Sequence, residues 1–179
     1  RLDGVTGVQT CALPIFHPHP KITFAGALPV GLESWGEYLE VSTVHPCRGE
    51  KLCADLSACS PEGIEWIAAV PVEKNEPKIG SVIRADELRI SWEDGGGKSR
   101  EPSEEALREF NIGSWLPEEN SVRLIVVHSE GNPPQIRKIL SGLQEQGVVP
   151  CSSRIERLDQ HRKDGDHWTP VVEASRSLA

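Results

Sequence analysis

Two histidines, His17 and His19, stand two residues apart in the stretch FHPHPK that opens at Phe16. Pro18 and Pro20 push both out of the helical region into extended geometry. On an extended chain, residues two apart project to the same side. Two neutral imidazoles facing one way could make half of a metal site, with His45 and Cys47 supplying another imidazole and a thiolate. The plainer reading, which the local sequence favours, is a proline-stiffened arm whose histidines hydrogen-bond or touch a ligand. Cys47, Cys53 and Cys59 follow at equal six-residue steps. Six residues turn a helix by about 600 degrees, so successive thiols leave on different faces and read as small core filling rather than cluster ligands. Gly95-Gly96-Gly97-Lys98-Ser99 is reminiscent of a phosphate loop, yet the position that pattern reserves for an earlier glycine is Trp92. It reads as a flexible turn. His161 and His167 lie in a mixed-charge stretch and are expected to be solvated. No Ser-His-Asp or paired-carboxylate set can be assigned from short-range spacing, so no catalytic residue and no metal ligand is assigned.

Composition narrows the classes. The 179 residues hold one medium domain or two small ones. Net charge is −8, from 19 Lys+Arg against 27 Asp+Glu, which argues against broad phosphate-backbone binding but permits a local basic patch. No run approaches the roughly 18 apolar residues of a membrane helix, so no membrane partner is expected. Five cysteines form an odd set without C-x-x-C, which favours reduced thiols and a cytoplasmic location. There is no methionine, and the chain is read as a fragment.

Those side chains need elements to hold them. Residues 21–27 continue extended, with Ile22, Phe24 and Leu28 alternating onto one face. Pro29, Gly31 and the cluster at 33–36 break the strand, and residues 37–43 alternate again. The unit is a β-hairpin opened by the His-Pro arm. Residues 48–59 form a short helix with Leu52, Leu56 and Cys59 on one stripe, stopped at 60–63. Residues 64–72 alternate as a strand that turns Trp66 inward. The polar connection 74–80 marks a boundary. Beyond it come a strand at 82–92 ending on Trp92, and a helix capped by Ser103 with Glu104 and Glu105 in its first turn. A brief strand at 111–117 and the apolar central strand 122–128 follow. Asn132, Pro133 and Gly147 frame a helix over 133–146 with Ile136, Ile139, Leu140 and Leu143 buried. Residues 148–158 close the sheet, and 159–179 are read as a loose tail.

The stretch FHPHPKITFAGALPVGLESWGEYLEV, residues 16–41, resembles the FxPHPKISF…LPVGxESxGEYLD core of the radical-SAM-linked protein family of bacteria. More than a dozen positions agree in order over about 25 residues. In that family a strand and a helix precede the core. The resemblance therefore implies an α+β fold of two ferredoxin-like βαββαβ units in tandem, the first lacking its opening pair. The expected division is 1–15 as a non-native leader, 16–73 as the truncated first unit, 81–158 as the second, and 159–179 as the tail. Residues 1–15 resemble translated sequencing-adaptor sequence.

The family resemblance also sets the functional expectation. It implies a non-catalytic accessory or substrate-binding domain, fused to or encoded beside a radical-SAM protein. The iron–sulfur cluster and S-adenosylmethionine would lie on that partner and no cofactor on this chain, which lacks the C-x-x-x-C-x-x-C cluster motif. The alternative is an RNA-binding module. Tandem ferredoxin-like units look like the RNA-processing endoribonucleases of CRISPR systems. In either case the binding candidates are His17, His19, Lys21 and Trp35, which could supply stacking and phosphate contacts.

Overall fold

The computed structural model describes residues 21–43, 45–73, 75–93, 99–129 and 132–172. The fold is mixed, with a mostly antiparallel sheet and few helices. The main sheet runs β2-β7-β4-β6-β5, with β8 also paired to β7. Its strands are β2 (Glu33–Ser34), β4 (Ala85–Ser91), β5 (Ile112–Pro117), β6 (Ser121–Val127), β7 (Arg154–Asp164) and β8 (His167–Pro170). A separate ribbon pairs β1 (Ile22–Phe24) with β3 (Leu39–Val41). Among the described residues four helices accompany them: α1 (Gly49–Cys59), α2 (Ile79–Val82), α3 (Glu104–Glu109) and α4 (Ile136–Glu145).

Alternation in β4 and β6 builds the core. Leu88 and Ile90 face Leu124 and Val122 across the β4–β6 ladder, and these four are buried together with Val126 and, just past β4, Trp92. The stripe Ile136, Ile139 and Leu143 of α4 closes over them, with Leu140 half-buried at its margin. Ser103 caps α3 as expected, its Oγ accepting from the Ala106 amide at 3.2 Å. α4 starts later than its sequence signals suggest. Asn132 bridges back to Ser129, and Gln135 takes the cap position without a side-chain bond. The end of α4 follows the sequence: Gly147 adopts φ +66°. Its N–H then reaches Gln144 O at 3.0 Å while the Val148 N–H reaches Leu143 O at 2.9 Å, the paired bonds of a Schellman stop.

Five expectations are corrected. Residues 64–72 form no strand. Their backbone has no ladder, and Ile64, Ile67, Val70 and Val72 are exposed. The stripe of α1 is not buried either. The closing strand is not 148–158 but Arg154–Asp164, because Val148 and Val149 instead fill the core from the turn after α4. The expected loose tail therefore begins inside a strand and continues into β8. Finally, the hairpin break at 33–36 is not mere turn. It supplies β2, which runs parallel to β7 and ties the first stretch to the sheet of the second.

Candidate functional site

Toward one end of the sheet the core face turns from apolar to charged. Asp86 lies two residues before Leu88 on β4, and His128 two after Val126, so both share the core face. On β7 the register shifts: Leu88 faces Arg157, Glu87 faces Asp159, and Leu158 is left unopposed. This bulge is what puts Arg157 and Gln160, three residues apart, on the same face. The result is a sealed network. Asp86 is fully buried and Arg157 is 1% exposed. The Asp86 carboxylate accepts from Gln160 Nε2 at 3.0 Å and lies 3.4 Å from Arg157 Nε and 3.5 Å from His128 Nε2. Arg157 Nη1 also donates to Glu37 Oε1 at 2.7 Å. Taking a carboxylate and a guanidinium out of water is costly unless each is paired and hydrogen-bonded. Here one arginine joins an inner carboxylate to an outer one.

Glu37 belongs to a strap, residues 26–38, laid over this end of the sheet. Leu28 and Leu32 pack against the core, and Arg137 of α4 donates to the Val30 carbonyl. The Trp35 amide donates to Arg157 O at 2.9 Å as β2 adds to β7. Ser34 Oγ orients the Glu37 carboxylate at 2.6 Å, and Tyr38 Oη donates to Asp159 Oδ1 at 2.7 Å. Gly36 makes the closest approach: a Cβ there would lie 2.8 Å from Leu158 O and 2.9 Å from Asp159 Cα. The strap's glycine is set by backbone-to-backbone contact at the bulge.

The opposite face of the sheet carries a second polar array. Arg89 Nε donates to Glu156 Oε1 at 2.6 Å, and Arg123 Nη2 to Glu118 Oε1 at 2.7 Å. His161 Nε2 meets Glu87 Oε2 at 2.8 Å. Opposite a carboxylate that nitrogen must carry the proton. The His161 hydrogen bond is the main force holding the Glu87 carboxyl below its usual range, against an opposing penalty from burial. Glu118 is likewise held low, first by the Ser121 hydroxyl and then by Arg123. Trp35 joins this array, its Nε1 donating to Glu156 Oε2 at 2.7 Å while the ring stays 57% exposed.

Of the residues singled out from sequence, Trp35 is thus a fixed, exposed ring at the sheet margin. Lys21 is exposed, and its carbonyl accepts from the Ser42 amide at 3.1 Å. His17 and His19 lie outside the described residues, as do Gly95, Gly96, Gly97 and Lys98. His161, expected in solvent, is buried; His167 is exposed. Trp92 is core as expected, whereas Trp66 is half-buried and donates to Ser60 Oγ. Cys47, Cys53, Cys59 and Cys151 are free thiols, and since Cys47 and Cys59 are exposed and Cys53 only half-buried, the first three do not fill the core as expected. No group of three or more His, Cys, Asp or Glu able to hold a metal occurs among the described residues. A surface groove of about 450 Å³, lined by Leu107, Arg108, Asn111, Ile112, Gly113 and Val127, includes none of the networked residues. The Asp86–Arg157–His128 network was not singled out from sequence. Its members are 29 to 71 positions apart and meet because β4 pairs with both β6 and β7, and the bulge then adds Gln160 to them.

Fold and site together define an α+β protein whose amino-terminal strap is locked onto the sheet through a buried arginine. The model of a bacterial family described as "Uncharacterized protein conserved in bacteria (DUF2344)" matches residues 16–162, and the chain belongs to that family. The match covers the strap and β7 as far as Arg162, the two parts that the arginine joins. That description contains no link to a radical-SAM protein. No curated protein and no solved structure matches the chain. No described helix is long and apolar enough to cross a membrane.

Proposed function

We propose that this chain is a non-catalytic accessory or substrate-binding domain that works with a radical-SAM protein, the cluster and S-adenosylmethionine being carried by that partner. The observation that supports binding over catalysis is where the titratable groups are. Asp86, His128 and Arg157 have side chains no more than 3% exposed and lie at the end of the sheet that the strap covers. Buried there, Arg157 holds the strap through Glu37 and the Gly26 carbonyl, with Asp86 and His128 behind it, a structural rather than a substrate-facing arrangement. What the strap presents outward is Val30 and Trp35, the latter with its indole N–H already engaged and more than half its surface exposed. A large aromatic ring held rigid at low entropic cost suits a contact residue. The choice of partner rests on the resemblance of residues 16–41. On this reading residues 85–164 form a ferredoxin-like unit, supported by the strand order β7-β4-β6-β5. The ribbon β1–β3, α1 and residues 64–72 follow the chain order of β5, β6, α4 and β7 and would belong to a second unit.

RNA binding has one observation in its favour, the exposed Trp35 ring beside Arg89. Against it, Arg89 and Arg123 are each neutralised by glutamate on that face, and the chain carries net charge −8. One experiment separates the readings. The protein is co-expressed with the radical-SAM protein encoded beside or fused to it in its source genome. Co-purification of that protein is expected, with binding weakened by Trp35→Ala. Failure to associate at micromolar concentration overturns the accessory role, as does turnover by the isolated chain. Retention of structured RNA that weakens steeply with salt would favour the alternative.

A further inference from the structure

We draw no further inference here: the strongest candidate, the exposed apolar side chains Ile22, Phe24, Ile64, Ile67, Val70 and Val72 of the first stretch, carries nothing because no feature of the structure shows what covers them.

Discussion

Replacing Arg157 by methionine tests the central physical claim, that one buried guanidinium makes an interior carboxylate tolerable and fastens the strap. In Arg157→Met the Asp86 carboxylate would keep Gln160 Nε2 at 3.0 Å and His128 at 3.5 Å but lose the Arg157 guanidinium, while remaining fully buried. Removing one member of a buried pair costs about 3–5 kcal/mol. Glu37 adds little to this, because its side chain is 34% exposed and water can take over from Arg157. Against a typical net stability of about 5–15 kcal/mol, the variant should still fold. Its midpoint should fall by roughly 6–20 °C, at about 2–4 °C per kcal/mol for a chain of this size. The double variant Asp86→Leu/Arg157→Met removes the stranded charge as well. It should recover most of the loss, since apolar replacement of a buried pair is often neutral or better. Urea unfolding followed by circular dichroism gives the energies. Hydrogen exchange at the Trp35 amide, which is bonded to Arg157 O, reports the strap directly and should accelerate in the single variant. A single variant within about 1 kcal/mol of the parent, or a double variant no more stable than the single, would refute the reasoning.

Three further outcomes are expected. Gly36→Ala places a methyl 2.8–2.9 Å from the backbone of Leu158 and Asp159, so the strap must lift at a cost of about 1–3 kcal/mol. Faster exchange within 26–38, with α4 and β6 still protected, is the pattern to look for, and uniform protection would count against the close approach. Glu87 has a folded pKa lowered by the His161 hydrogen bond. Its contribution is therefore present above the unfolded carboxyl range near 4.3 and is lost as pH falls through the lower folded value. Stability measured from pH 6 to 3 should drop less steeply in Glu87→Gln, and an unchanged slope would remove this pair from the account. Limited proteolysis should cut first within 42–78, where every described residue has some exposure and α1 buries no side chain. A fragment spanning about 79–172 should persist, because β8 extends the protected sheet past residue 158. First cleavage inside 159–172 would contradict the β7–β8 pairing.

The sequence by itself determined whatever short-range periodicity encodes. The alternation Leu88, Ile90, Trp92 and the run Val122, Leu124, Val126 announced buried strands, because each strand's side-chain period is two whatever its neighbour. Ser103 and Gly147 announced a helix start and stop, because a hydroxyl cap and a positive φ act within one turn of chain. The special character of residues 16–41 was also legible, from its resemblance to a known family core. Partner choice was not legible. Residues 64–72 alternate like a strand, but a strand exists only where another edge bonds to it, and none of the described residues does so. Residues 159–164 read as a polar tail, yet β4 pairs with 159–161 and β8 with 161–164, and burial of Gln160 and His161 follows from those ladders rather than from their polarity. Glu33 and Ser34 looked like part of a turn until β7 bonded to them. Most of all, Asp86, His128, Arg157 and Gln160 meet only because β6 and β7 flank β4 and one unopposed residue, Leu158, shifts the register of β7. A side chain's face is local information until a bulge intervenes, and a bulge is set by the pairing of distant strands.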